Sequence, residues 1–208
     1  GMATGAFNFY QDYPDNLNQA PANYADATRR VRVTNSSYSD GQNAGYTAFA
    51  RTVDLQSRQL PYLLHVFSSG NAGTEDFGYG AGPTWGNVTG GHKMGKNVLT
   101  VGNVDFRDQL NTSSSRGPAT DGRIKPDVCD VGTDVISCIG GNMYDVYTGT
   151  SMASPRPVRS RRYRAKPMAC AATRPVMWSV ITIGTKRGSP AARWKVAATP
   201  DRLWMIGS

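Results

Sequence analysis

Ser151 sits in Gly149-Thr150-Ser151-Met152-Ala153-Ser154-Pro155, a run of small residues closed by proline. Proline's fixed φ suits the first turn of a helix, so the string reads as a hydroxyl at a helix N-terminus. There the unpaired backbone N–H groups and the positive end of the helix dipole suit a nucleophile whose reaction generates an oxyanion. The plainer reading is an N-cap serine, which is commoner for any one serine. Asn71, in Ser68-Ser69-Gly70-Asn71-Ala72-Gly73, is the second chemical residue. It follows an apolar run, and ligands of open parallel sheets bind beyond the carboxyl ends of the strands. Its amide is therefore expected to enter the crevice and donate to the oxyanion alongside the Ser151 N–H. A Gly-Asn turn without chemistry is the simpler alternative. The chain holds two histidines. His65, inside the apolar run, reads as a core residue; His92, in Gly90-Gly91-His92-Lys93, reads as a loop residue. A serine hydroxyl without a general base is a poor nucleophile.

The elements that must position these residues alternate strand and helix. Residues 31–39 alternate β-branched and polar side chains before a Ser/Asp/Gly turn, which predicts a strand. Residues 45–58 place Tyr46, Phe49, Ala50, Val53 and Leu55 at mostly helical spacing, which predicts an amphipathic crossover helix. The continuous apolar run at 60–67 marks a strand buried on both faces of a parallel sheet. Residues 76–92 read as a glycine-rich loop and 135–137 as a strand, with 144–147 leading into the Ser151 string. A helix around 17–29 is a further expectation, opposed by Pro14 before it and Pro21 within it.

At 208 residues, 39% hydrophobic with 23 glycines, the chain can bury one core in a loop-rich α/β domain. It carries neither an apolar run of membrane-spanning length nor a basic-then-apolar leader. Its net charge of +8 is unevenly spread: residues 156–208 hold 12 of the 23 Lys and Arg against one acid, Asp201. Cys129, Cys138 and Cys170 lack metal-ligand spacing; a Cys129–Cys138 bridge and a pair of buried free thiols are both open.

The Ser151 string resembles the Gly-Thr-Ser-Met-Ala-x-Pro nucleophile motif of the subtilisin-like serine peptidases, and the Ser68–Gly73 segment resembles their oxyanion segment. Weaker likenesses are Gly1-Met2-Ala3-Thr4-Gly5-Ala6, with Thr4 where proline is usual, residues 96–105, Ser113-Ser114-Ser115-Arg116-Gly117-Pro118 and Lys125-Pro126-Asp127-Val128. Residues 1–155 follow the family's order. The resemblance implies an α/β fold: an incomplete subtilisin-like doubly wound parallel sheet with helices on both faces, plus a poorly structured basic tail. It implies peptide-bond hydrolysis with Ser151 as nucleophile and Asn71 as oxyanion donor. Ser37, Tyr38 and Ser39 would line the substrate cleft, and Ser68, Ser69 and Gly70 would form one wall of the specificity pocket. Ser39 departs from the family's glycine, and Asp130-Val131-Gly132 departs from its Ala-Pro-Gly. The implied partner is a peptide or protein substrate, with no membrane partner, at a secreted or cell-surface location. No cofactor is implied; calcium is compatible with the family, but no site for it stands out.

The family's Asp-x-Gly and His-Gly-Thr-His motifs precede the segment matched by residues 1–6; His-Gly-Thr-His does not occur in this sequence, and Asp-x-Gly occurs only later, at Asp76 and Asp130. The chain is therefore expected to be an incomplete peptidase domain over 1–155, inactive by itself. Beyond Pro155 the family's buried helix continues with small and aliphatic residues, whereas this chain has Arg156-Pro157-Val158-Arg159-Ser160-Arg161-Arg162. Residues 156–208 consequently read as a basic, Pro/Arg-rich tail translated out of frame. Little regular structure is expected there beyond one turn after Pro155, with 176–183 able to add one strand. The alternative is a non-catalytic binding protein whose tail contacts nucleic acid or an anionic surface. No aromatic-interleaved platform supports it, so nucleic acid is not the expected partner.

Overall fold

The computed structural model describes residues 31–42, 45–159, 194–199 and 202–207. The expectations at 1–6, 17–29 and 176–183 lie outside them. Four strands form one sheet in the order β1-β2-β3-β4, where β1 is Val33–Ser36, β2 Leu64–Ser68, β3 Leu99–Val104 and β4 Val128–Val131. Every pair is parallel, with Ser36 opposite Phe67, Ser68 opposite Val101 and Val104 opposite Val131. All six residues of β3 are buried, as expected of a strand covered on both faces. Successive side chains point to opposite faces, and the core divides accordingly. On one face Phe67 packs with Val53 of the helix α1 (Ala48–Gln59) and with Val98. On the other, Val66, Leu99 and Val101 pack with Ala153 of α2 (Thr150–Ala153). Helices thus cover both faces of a parallel sheet.

The helix expected at 45–58 forms, but its buried stripe differs from the expected one. Ala50, Val53, Asp54 and Gln56 are buried, while Tyr46, Phe49 and Leu55 are exposed by about two-fifths. Leu55 is two positions from Val53 and so lies across the helix from it. Asp54 is tolerated inside because its carboxylate accepts from the Tyr46 hydroxyl at 2.7 Å and from the backbone N–H groups of Lys96 and Asn97 at 2.9 and 2.7 Å. That ties the helix to the start of β3.

Residues 135–147 form an antiparallel hairpin of β5 (Val135–Ile139) and β6 (Met143–Tyr147) that delivers the chain to Gly149. Cys138 is a free, exposed thiol of β5, which excludes both the Cys129–Cys138 bridge and a buried thiol there. After α2, Pro155 opens a second short helix, α3 (Pro155–Arg159), in which Arg156 pairs with the buried carboxylate of Asp130 at 3.1 Å. Arg156 thus finds its acid on β4, outside the tail whose single acid is Asp201. Further along, β7 (Trp194–Thr199) and β8 (Arg202–Gly207) form an antiparallel pair. The described residues of the tail therefore hold this hairpin as well as the expected turn.

Candidate active site

Parallel pairing brings the carboxyl ends of β1 and β2 side by side, so Ser37 and the 68–73 loop leave the sheet together. The hairpin β5–β6 then lays the Ser151 string across them, anchored where the Gly149 N–H donates to Gly132 O at 2.8 Å. A Cβ at Gly132 would lie 2.5 Å from Gly149 O and 2.8 Å from Ala153 N, so this crossing demands glycine.

The Asn71 side chain is oriented by the residue before Ser151. Its Oδ1 accepts from Thr150 N at 2.9 Å and from Thr150 Oγ1 at 3.0 Å, and Thr150 Oγ1 in turn accepts from Gly70 N at 3.2 Å. A backbone N–H can only donate, so the amide oxygen faces Thr150 and the Nδ2 group is left to donate elsewhere. Ser151 stands in the first turn of α2, where N–H groups have no intrahelical acceptor. Its Oγ donates weakly to Ser37 O at 3.4 Å, while Ser37 Oγ donates to Ser151 O at 3.2 Å and meets Ser154 Oγ at 3.0 Å. Ser37, Asn71 and Ser151 thus converge at one end of the sheet, with a serine hydroxyl, a backbone N–H and a primary amide around one space.

Beside that space lies a cavity of about 250 Å³, lined by Ser39, Ser69, Gly70 and Asn71 among the expected residues, and also by Asn87 and Ser115. Ser37, Tyr38 and Ser68 do not line it. Tyr38 turns its apolar ring onto the cluster of Val53, Phe67 and Val98. Ser68, the last residue of β2, is 3% exposed because both faces of that strand are covered. Ser115 was not singled out in the sequence; its Oγ accepts from Ala72 N at 3.0 Å and its N–H donates to Gly70 O at 2.9 Å, which fixes the 68–73 loop. Lys93 was missed as well. Its Nζ, in a residue 1% exposed, donates to Ser39 Oγ at 2.7 Å.

Neither histidine is presented to the cleft. His65 is fully buried, and its Nδ1 meets Thr34 Oγ1 at 2.8 Å. Burial, reinforced by the neighbouring His92, lowers its pKa to about 4. His92 is not an ordinary loop residue. It lies in a 3₁₀ turn (Gly91–Met94), is 3% exposed, and stacks at 7° on Phe67 with 6.0 Å between ring centres. Burial lowers its pKa too, with Asp40 opposing the shift. Among the described residues no group of three or more His, Cys, Asp or Glu side chains could hold a metal ion.

Over residues 12–156 the sequence matches the model of the Subtilase family. The chain belongs to the subtilase family. A 60-residue stretch is 43% identical to the Thermophilic serine proteinase of Bacillus sp. (strain AK1), covering 29% of this chain and 14% of that protein. Among solved structures, the self-cleaved protease domain of PatA aligns with a TM-score of 0.53 at 20% identity, over 69% of this chain and 48% of that one. The Prenylagaramide maturation protease PagA aligns with a TM-score of 0.51 at 17% identity, over 72% and 48%. The two solved structures share the subtilase fold with this chain, which spans about half their length.

Proposed function

We propose that this subtilase chain carries the nucleophile half of a serine endopeptidase cleft that acts on peptides or proteins outside the cell. Ser151 Oγ attacks the scissile carbonyl carbon; the oxygen that gains the electron pair accepts from Asn71 Nδ2 and the Ser151 N–H. The edge at Ser37–Ser39 receives the extended peptide backbone, and Ser69 and Gly70 wall the side-chain pocket. One observation supports this reading above the rest: Thr150 grips Asn71 by its oxygen, which fixes the amide with its donor hydrogens outward beside the serine. For such a donor the geometry is preorganised before substrate arrives.

Turnover needs a base to take the Ser151 proton, and the chain's two histidines are committed to the core. The chain alone is therefore expected to bind and polarise a carbonyl without cleaving the bond. Among the described residues no helix is long and apolar enough to cross a membrane. Incubating the purified chain with a serine-directed fluorophosphonate and with peptide substrates tests this. Neither labelling nor hydrolysis above background is expected. Efficient labelling abolished by Ser151→Ala would confirm the nucleophile but overturn the inactivity. Labelling that survives Ser151→Ala would overturn the nucleophile assignment itself.

A further inference from the structure

The pocket beside Asn71 is lined by hydroxyls, amides, backbone and the apolar side chains of Ala72 and Phe77, with no charged side chain. Directly behind its wall stands the ammonium of Lys93. Burial lowers the pKa of this lysine to about 8, so at neutral pH most of the population still carries its charge. Among the described residues no carboxylate forms an ion pair with it. Asp40, beside Ser39, exerts its pull on His92 instead. An ammonium has three donors, and one is satisfied here by a neutral oxygen, Ser39 Oγ at 2.7 Å. A buried cation with that little compensation is an unfavourable arrangement by itself and a favourable one once an anion arrives.

Two features connect the ammonium to the pocket. The first is Gly70, a lining residue with φ of +110°, where an added Cβ would lie 2.9 Å from Ser115 Oγ and 3.8 Å from Lys93 Nζ. Because Gly70 has no side chain, the wall between cation and pocket is one backbone thick. The second is Ser39, which stands where the subtilase pattern has glycine. Its oxygen accepts a hydrogen bond from the lysine, so its own hydroxyl hydrogen points elsewhere and is available to a group in the pocket that Ser39 lines. A hydroxyl polarised by an ammonium is a stronger donor than an isolated one.

Resting on the cleft reading above, we propose that Lys93, relayed by Ser39, makes this pocket selective for an acidic side chain, so that the cleft takes peptides with glutamate or aspartate in the pocket. The bound carboxylate accepts from the Ser39 hydroxyl and lies within the field of Lys93.

The test is a binding measurement on the full chain, which needs no turnover. The probes are fluorophore-labelled peptide amides of sequence Ala-Ala-Pro-X, with X as Glu, Gln or Leu, followed by anisotropy at neutral pH. The Glu peptide is expected to bind at least ~10-fold more tightly than its Gln isostere. Lys93→Met, an apolar replacement of similar length, should bring the two together; Ser39→Gly should reduce the preference without abolishing it. If the unmodified chain binds Gln or Leu as tightly as Glu, the acidic selectivity is wrong while the cleft reading stands. A preference unchanged in a folded Lys93→Met would also overturn the proposal, since the charge would come from elsewhere. If no peptide binds, both readings fall.

Discussion

Thr150 does more for the site than its place beside the nucleophile suggests. Its hydroxyl donates to Asn71 and accepts from the Gly70 N–H, so one side chain ties the 68–73 loop to the residue before Ser151. Thr150→Val keeps the shape and removes both bonds, leaving a part-buried N–H without its acceptor. A loss of about 1–3 kcal/mol is expected. Urea denaturation would read it, and an unchanged midpoint would mean that Asn71 is held by the backbone N–H of residue 150 alone. Ser151→Ala, by contrast, deletes one weak 3.4 Å bond and should leave stability within about 0.5 kcal/mol of the parent. The pair separates a residue that builds the site from one expected to act in it. In the sequence Ser151 stood out through its neighbours, whereas nothing local distinguished Thr150's task, because its partners are about 80 residues away.

At the scale of elements, the site depends on how closely the end of β4 approaches the turn before α2. Gly132 donates to Val104 O at 3.0 Å and accepts from Gly149 N at 2.8 Å, with no space for a side chain. Gly132→Ala should force the Ser151 string away from the sheet, costing about 1–3 kcal/mol by overpacking and weakening peptide binding as well. Gly140→Ala, where nothing lies within 4 Å of the added carbon, is the matched control and should shift stability by less than about 0.5 kcal/mol. Equal effects from the two substitutions would show that the close crossing is not what locates Ser151.

For the molecule as a whole, two buried titratable groups should shape stability against pH. The folded chain holds His65 near a pKa of about 4, against an ordinary 6.5. Between those values the unfolded chain binds a proton that the folded chain refuses. Stability should therefore fall as pH drops from about 6.5 to 4, by about 3 kcal/mol. Lys93 adds a slope of the same sign at the alkaline end. Its pKa of about 8 against 10.5 makes the folded chain release its proton first, so stability should rise as pH climbs through that window. Urea midpoints at pH 4.5, 7 and 9.5, with His65→Asn and Lys93→Met alongside, would check both slopes. An acid slope that persists in His65→Asn would assign the loss to other groups.

What the sequence determined by itself was local in origin. The period-2 and continuous apolar patterns specified strands at β1 and β2, the 3.6-residue spacing specified α1, and the small-residue strings around Asn71 and Ser151 specified tight turns beside chemical side chains. Each is a consequence of neighbours along the chain acting through backbone sterics and burial. The tertiary structure decided what depends on partners far apart in sequence. It turned Tyr38 and His92 inward where a loop position suggested exposure, buried Asp54 against distant backbone N–H groups, and found Arg156 its acid on β4. Above all it placed Lys93 behind the wall of the pocket. A lysine in a glycine-rich stretch reads as a solvated charge, since desolvation and the approach of Ser39, 54 residues away, have no signature in local sequence.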